Sequence, residues 1–207
     1  SALNASYPEL IVCAVEEVST LQKQLTKADV VVLGPGLGQS SWSRMCFDRA
    51  LLTDKTSVID ADALNLCAAK TMPPGVRVFT PHPGEAARLL GVSVRDVQQD
   101  RFSACRDIAA RYVCTCVLKG AGSLIYSPER GMEICAGGNP GMASAGMGDC
   151  LAGLLGGLLA QGIPVHAAAS LATAIHAAAG DLEALQGERG MLAGDLLSHI
   201  RKFVNGL

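Results

Sequence analysis

The sequence contains few charged residues, few aromatic residues and no long uninterrupted apolar segment. Charged residues make up 17% of the 207 residues, aromatic residues make up 4%, and the formal net charge is −2. Because no stretch is strongly basic, we expect no binding to nucleic acid or to an anionic membrane. The most apolar segment, residues 151–160, is interrupted by Gly153, Gly156 and Gly157, and it is too short to cross a membrane.

Paired cysteine motifs are also lacking, although the chain contains eight cysteines. No C-x-x-C pair occurs, and Cys114 and Cys116 fall in a predicted strand, where both side chains point to one face. We therefore interpret the cysteines as free buried thiols in a reducing cytosol, and not as disulfides or metal ligands. With no recognisable signal peptide, the sequence predicts a cytoplasmic protein.

Short β-branched segments alternate with segments of helical composition. The predicted strands are 10–15, 30–33, 57–59, 76–80 and 116–119, with a hairpin at 124–126 and 133–135. The predicted helices are 19–25, 43–52, 64–69, 94–112, 151–160, 165–185 and 192–204. The alternation indicates an α/β fold, in which a mostly parallel central sheet has helices on both faces. We interpret residues 1–207 as one domain and expect an N-terminal piece to be missing.

Glycines follow the strand predicted at 30–33. In open parallel sheets, ligands bind beyond the carboxyl ends of the strands. The segment Gly34-Pro-Gly-Leu-Gly38 could bring backbone amides close to a ligand, or it could be only a tight turn. Since the pattern is not G-x-G-x-x-G, a Rossmann dinucleotide site is not supported.

Charged side chains follow the next three strands. Asp60 and Asp62 could bind magnesium or cap the following helix, and Asp60 is the better site candidate. Two prolines flank His82 and aim its ring, which could contact a ligand or take part in chemistry. Glu85 lies at the start of a helix. It could be only an acidic residue of the first turn, or it could have a magnesium or water-mediated role. Lys119 precedes a glycine loop and could bind phosphate, or it could extend to solvent.

The most informative segment is 139–149, Asn-Pro-Gly-Met-Ala-Ser-Ala-Gly-Met-Gly-Asp, which runs into an apolar helix. The first turn of a helix has free amides and a positive dipole end, which favour phosphate. Asp149 could take the proton of an attacking hydroxyl, although it could also be a simple cap. No Gly-Lys-Ser/Thr follows, so the segment is not a P-loop. It predicts a nucleotide-using enzyme.

Taken together, these five motifs resemble the ADP-dependent NAD(P)H-hydrate dehydratases, ribokinase-like proteins that form the C-terminal half of bifunctional nicotinamide nucleotide repair enzymes. The resemblance covers residues 8 to about 204. It implies dehydration of the S epimer of NADH or NADPH hydrate, by phosphorylation of the ring hydroxyl from ADP and elimination of phosphate, with Mg²⁺ screening the phosphates. It also implies a homotetramer, an epimerase half on the full-length chain, and a first strand and helix absent here.

The resemblance assigns residues to two ligands. Gly36, Gly38, His82 and Asp149 would contact the hydrate, with Asp149 as the catalytic residue. The residues that would contact ADP are Lys119, Gly120, Ala121, Gly122, Ser123, Asn139, Pro140, Gly141, Met142, Ala143, Ser144, Ala145, Gly146, Met147 and Gly148. Two alternatives stay open: a ribokinase-like kinase of a small hydroxylated metabolite, such as a hydroxyethylthiazole kinase, and a non-catalytic nucleotide-binding module.

Overall fold

A computed structural model of the chain describes residues 7–68 and 70–206. Its six strands form one sheet in the order of the sequence. The strands are β1 (Val30–Leu33), β2 (Thr56–Ile59), β3 (Arg77–Phe79), β4 (Thr115–Leu118), β5 (Ser123–Ser127) and β6 (Gly131–Cys135). Strands β1 to β4 are parallel, while β5 and β6 pair in antiparallel fashion. The mostly parallel sheet and the terminal hairpin are therefore confirmed.

Helices cover both faces of this sheet. They are α1 (Val18–Lys27), α2 (Ser41–Leu51), α3 (Ala61–Cys67), α4 (Pro83–Leu90), α5 (Val94–Gln99), α6 (Arg101–Tyr112), α7 (Met147–Ala160), α8 (Val165–Glu183) and α9 (Leu196–Val204). Within the described residues, no helix combines the length and hydropathy needed to span a bilayer.

The alternation of strand side chains creates two cores. Ile59, Phe79 and Leu118 face α2 to α6, whereas Val58 and Val78 face α7 and α8. A third, smaller cluster joins the first turn of α7 to α8 and α9. Because buried apolar surface is the main stabilising contribution in such a fold, these clusters fix the loops at the carboxyl edge of the sheet.

The strand predicted at residues 10–15 is wrong. This segment joins no sheet, and the Ile11 side chain is 100% exposed. β-Branched apolar residues favour an extended backbone. A strand nevertheless forms only where its backbone groups pair with those of another strand. Among the described residues, β1 pairs with β2 alone, so this segment does not pair with the outer edge of β1.

The helix predicted at 94–112 is two helices that meet at Asp100. This residue has an extended φ of −139°, and its side chain accepts a hydrogen bond from the Ser103 amide at 2.9 Å. Ser93 and Asp96 form a capping box for α5. Because side chains cap the N-termini of both α5 and α6, two separate helices are favoured over one continuous helix.

Three other helix predictions need smaller corrections. The helix predicted at 165–185 is α8 followed by a short 3₁₀ turn (Ala184–Gln186). The helix predicted at 192–204 is a 3₁₀ turn (Ala193–Asp195) followed by α9. The helix predicted at 64–69 is observed as α3, but residue 69 lies outside the described residues, as do residues 1–6 and 207 of the predicted domain.

Backbone hydrogen bonds align the segments that follow the parallel strands. The amide of Asp60 donates to the Leu33 carbonyl at 3.0 Å, and the amide of Thr80 donates to the Ile59 carbonyl at 3.1 Å. The amide of Lys119 donates to the Pro81 carbonyl at 2.8 Å. The residues directly after β2, β3 and β4 therefore lie side by side at one edge of the sheet.

Candidate active site

A cavity of about 840 Å³ opens at this edge. Its walls include four of the predicted motifs, which are separated along the chain but adjacent in the fold. The predicted site residues that line it are Asp60, His82, Glu85, Lys119, Gly120, Ala121, Gly122, Ser123, Asn139, Pro140, Met142, Ala143, Ser144, Met147, Gly148 and Asp149. A pocket of this size fits a nucleotide or another large polar metabolite.

Five predicted contact residues are not part of the cavity wall: Gly36, Gly38, Gly141, Ala145 and Gly146. Gly141 lies in the turn Pro140–Met142, where its amide donates to the Asn139 side chain at 3.0 Å. Gly146 precedes α7 with a φ of 86°, a left-handed conformation that favours glycine. These two residues therefore shape the backbone of the loop.

Gly36 and Gly38 lie in the loop after β1, and both have positive φ angles. The amide of Gly38 donates to the Asp62 carboxylate at 2.8 Å. Asp62 thus joins the β1 loop to the first turn of α3. It neither caps α3, as one interpretation predicted, nor reaches the cavity.

Lys119 forms a buried ion pair with Asp60. Its Nζ lies 2.7 Å from Asp60 Oδ1 and 3.9 Å from Glu85 Oε2. The Asp60 side chain is only 1% exposed, so its charge needs this partner. A Cβ placed on Gly148 would lie 3.1 Å from the same Nζ. The ammonium group therefore lies against the first turn of α7 and does not extend into solvent.

The first turn of α7 combines donors with one free carboxylate. The amides of its first residues have no acceptor within the helix. Asp149, its third residue, is exposed to the cavity and has no hydrogen bond or ion pair to any described residue. Amide donors, the Lys119 ammonium and a carboxylate able to take a proton thus lie together, which suits phosphoryl transfer to a hydroxyl.

His82 caps helix α4. Its backbone amide donates to Glu85 Oε2 at 2.8 Å, and its Nδ1 accepts from the Gly84 amide at 2.9 Å. The side chain remains 52% exposed and lines the cavity. The reciprocal capping contacts fix the orientation of this ring.

The carboxylates suggested as magnesium ligands are engaged by protein groups. Asp60 and Glu85 lie near the Lys119 ammonium, and Asp62 is bound to the Gly38 amide. In the described part of the chain, no group of three or more His, Cys, Asp or Glu side chains could hold a metal ion. These carboxylates therefore do not form a metal site of their own.

Helix α8 contributes a wall of the cavity that was not predicted from the sequence. His176 lines the cavity but is only 9% exposed, and its Nε2 has no hydrogen-bond partner. The pKa of His176 is lowered to about 4, mainly by burial; a hydrogen bond with the Met147 backbone opposes this shift, and the nearby Lys119 charge adds to it. In the sequence, the feature that could have indicated this residue is a histidine among the small residues of α8.

Asp181, also on α8, holds the loop before α7. Its two carboxylate oxygens accept hydrogen bonds from the Gly138 amide at 2.9 Å and from Asn139 Nδ2 at 3.0 Å. The Asn139 side chain in turn accepts from the Gly141 amide. Nothing in the local sequence around Asp181 indicates this contact, because the two segments are far apart along the chain.

Comparison with known proteins agrees with this architecture. Ribokinase from Thermotoga maritima has a TM-score of 0.57 at 13% identity, covering 88% of this chain and 59% of that one, which is a likeness of fold alone. An ADP/ATP-dependent NAD(P)H-hydrate dehydratase from Bacillus subtilis, crystallised with ATP and Mg²⁺, has a TM-score of 0.79 at 30% identity, covering 86% of this chain and 64% of that one. The fold and the loop that opens α7 thus define a ribokinase-like α/β protein.

The sequence profile of the NAD(P)H-hydrate dehydratase family matches residues 1–202, and the chain belongs to this family. A bifunctional NAD(P)H-hydrate repair enzyme of Coxiella burnetii is 47% identical over 199 residues, which are 96% of this chain and 41% of that protein. An ADP-dependent (S)-NAD(P)H-hydrate dehydratase of Neisseria meningitidis is 39% identical over 203 residues, covering 94% of this chain and 68% of that protein. The chain therefore spans less than half the length of the bifunctional relative.

Proposed function

We propose that this chain catalyses the ADP-dependent dehydration of the S epimer of NADH hydrate or NADPH hydrate to NAD(P)H. The observation that carries the proposal is the convergence of Lys119, the first turn of α7 and the free carboxylate of Asp149 at one cavity. The Neisseria meningitidis relative bears the name of this activity. Family membership and site chemistry therefore support the same reaction.

In the first step, Asp149 takes the proton of the substrate's ring hydroxyl as the hydroxyl oxygen attacks the terminal phosphorus of ADP. A new O–P bond forms, the bond to the inner phosphate breaks, and AMP leaves. The Lys119 ammonium and the amides of Met147 and Gly148 stabilise the charge on the transferred group. Preorganised donors of this kind supply much of the acceleration of phosphoryl transfer.

In the second step, the C–O bond to the phosphorylated ring carbon breaks and the electron pair leaves with phosphate. The lone pair of the ring nitrogen forms a C=N bond, and a proton is then lost from the neighbouring ring carbon. The departing phosphate takes that proton and Asp149 releases the hydroxyl proton to solvent, so NAD(P)H, AMP, hydrogen phosphate and one proton are the products. Phosphate is a much better leaving group than hydroxide, so phosphorylation by ADP makes the elimination easier.

ADP would lie along the loops that line the cavity. The proposed contacts are residues 119–123 and 139–148, with Gly141 and Gly146 acting by shaping the loop. Asp181 supports this placement because its carboxylate accepts hydrogen bonds from Gly138 and Asn139 and so fixes the start of the loop. The hydrate would contact His82 and Asp149 and extend towards Gly36 and Gly38 in the β1 loop.

Magnesium would act mainly through the nucleotide. Since Asp60, Asp62 and Glu85 are engaged by Lys119 and Gly38, the ion would be held by phosphate oxygens and water, with Asp149 as the free carboxylate nearby. When bound, it would screen the negative charge of the phosphates. The Bacillus subtilis relative was crystallised with ATP and Mg²⁺, which supports this part of the proposal.

The proposal extends to the whole protein. An epimerase half on the same full-length chain is supported by the bifunctional relatives, of which this chain spans 41% and 38%. All eight cysteines are free, which supports a reducing, cytoplasmic location. A homotetramer is proposed from the family resemblance.

The decisive variant is Asp149→Asn. We expect it to bind ADP with near-normal affinity but to lose turnover by about 10²-fold or more, because the amide cannot take the hydroxyl proton. The assay follows reduced nicotinamide by absorbance and phosphate release, with ADP, with ATP and without nucleotide. The control is Glu129→Gln, an exposed carboxylate in the β5–β6 turn, which should leave turnover unchanged.

The same assay separates the alternatives. A kinase of a small hydroxylated metabolite would yield a stable phosphorylated product and no free phosphate from the hydrate. A non-catalytic nucleotide-binding module would bind ADP without turnover, and Asp149→Asn would not change its function. Near-normal conversion of NADPH hydrate by Asp149→Asn would refute the assigned role of this carboxylate.

A further inference from the structure

The imidazole of His82 has a defined protonation pattern because of what it contacts. Its Nδ1 lies 2.9 Å from the backbone nitrogen of Gly84, with hydrogen-bond geometry. A backbone N–H can only donate, so Nδ1 must be the acceptor and must carry no proton. In a neutral imidazole the proton then lies on Nε2.

The protonated Nε2 is available to a ligand. His82 lines the cavity, and half of its side chain is exposed. Nε2 lies 3.5 Å from Glu85 Oε1, which is too long for a strong hydrogen bond. Glu85 Oε2 is already engaged by the His82 backbone amide, and it lies 3.9 Å from Lys119 Nζ. Glu85 therefore holds the capping turn and leaves the Nε2 proton free for another acceptor.

We infer that His82 acts in the proposed reaction as a hydrogen-bond donor through Nε2, and not as a base. This inference rests on the proposed function. The acceptor is an oxygen of the phosphorylated hydroxyl, which gains negative charge as the C–O bond breaks. His82 keeps its proton throughout, so the proton lost by the ring carbon goes to the departing phosphate.

Gly84 is the positioning residue for this donor. A Cβ at Gly84 would lie 2.8 Å from His82 Cε1 and 3.2 Å from Nδ1, so any larger residue displaces the ring. Gly84→Ala keeps the backbone N–H but moves the imidazole that accepts from it. We expect this variant to fold, because alanine is favoured in helices, and to lose part of its turnover.

The protonation pattern can be read directly by NMR. Long-range ¹H–¹⁵N correlation spectra of the histidine-labelled chain, recorded at mildly alkaline pH, distinguish a protonated from an unprotonated ring nitrogen. The His82 signals are identified by their loss in His82→Asn. We expect Nε2 to be protonated and Nδ1 to be unprotonated. The opposite pattern would overturn the inference, and this measurement needs no turnover.

Two substitutions then separate donation from capping. In His82→Asn the side-chain oxygen can still accept from the Gly84 amide, since asparagine is a good N-cap, but no group remains at the position of Nε2. We expect unchanged ADP affinity, an almost unchanged unfolding midpoint, and a kcat lower by about 10²–10³-fold. In His82→Gln the amide can reach the position of Nε2, so part of kcat should return while the cap is lost.

Normal kcat in His82→Asn would show that His82 is only a cap and would overturn the inference. His166→Asn is the matched control, because His166, in the first turn of α8, pairs with Glu133 of β6 and does not line the cavity. It should leave both kcat and the His82 signals unchanged. If the wild-type protein made no NAD(P)H with ADP, the proposed function would fail, and the NMR pattern would still decide how His82 presents its proton.

Discussion

Gly148→Ala adds one methyl group at the proposed phosphate site and therefore tests the position of that site. Gly148 is the second residue of α7, and a Cβ there would lie 3.1 Å from Lys119 Nζ and 3.7 Å from Asp60 Oδ2. The methyl group would therefore occupy the space between the helix amides and the ammonium, which is where a phosphate oxygen would bind. Folding alone does not require this glycine, because its φ is not in the left-handed region.

Gly148→Ala has two opposing effects on the free energy of unfolding, but only an unfavourable effect on ADP binding. Alanine in place of glycine in a helix contributes about 0.5–1 kcal/mol. The 3.1 Å contact obliges the Lys119 side chain to shift by a few tenths of an ångström, which consumes part of that gain. Loss of one charge-assisted hydrogen bond to phosphate is worth about 1.5–3 kcal/mol, or roughly ten- to hundredfold in Kd. We therefore expect an almost unchanged unfolding free energy and a clearly weaker ADP affinity.

Helix α7 supplies a matched control for this variant. A Cβ on Gly153 would have no atom within 4 Å, so Gly153→Ala should give the helix gain without any contact. Calorimetric titration with ADP and urea denaturation would be run on the wild type and both variants. If Gly148→Ala bound ADP as tightly as Gly153→Ala, the proposed position of the phosphate would be refuted.

Two further predictions concern α8. Because burial lowers the pKa of His176 to about 4 from 6.5, the unfolded chain binds more protons between these values. Stability should fall as pH drops through this window, by up to about 3 kcal/mol, and urea denaturation should show a shallower fall for His176→Gln; equal slopes would refute this. Asp181→Ala removes both hydrogen bonds to Gly138 and Asn139 and should weaken ADP binding several-fold by calorimetry. Ser170→Ala, which removes a comparable bond to β6 from the same helix, should not weaken it.

The sequence predicted the architecture and the edge of the sheet at which the motifs meet. Alternating strands and helices imply parallel strands, and the residues after Leu33, Ile59, Phe79 and Leu118 must then share one edge. This is why the motifs after Ile59, Phe79 and Leu118, separated by tens of residues, lie at one cavity, whereas the loop after Leu33 shares the edge but lies outside the cavity wall. The strand predicted at 10–15 failed because pairing depends on a neighbouring strand, which local composition does not reveal.

Side-chain partners were not predictable in the same way. The Asp60–Lys119 pair joins residues 59 positions apart, and neither residue type specifies its partner. Asp62 was assigned to magnesium or to a cap, but it binds the β1 loop. His176 was missed because a buried histidine on an apolar helix face has the same local pattern as a purely structural one.

These partners explain why one carboxylate is the candidate base. Asp60, Asp62, Glu85 and Asp149 all follow or approach the carboxyl edge of the sheet. The first pairs with Lys119, the second binds the Gly38 amide, and the third binds the His82 amide. Each of these three carboxylates is therefore already engaged by another group of the protein. Within residues 7–68 and 70–206, Asp149 lines the same cavity without such a partner, so it can accept a proton without breaking a contact. The assignment of the base thus follows from the contacts of all four carboxylates, and Asp149→Asn tests it directly.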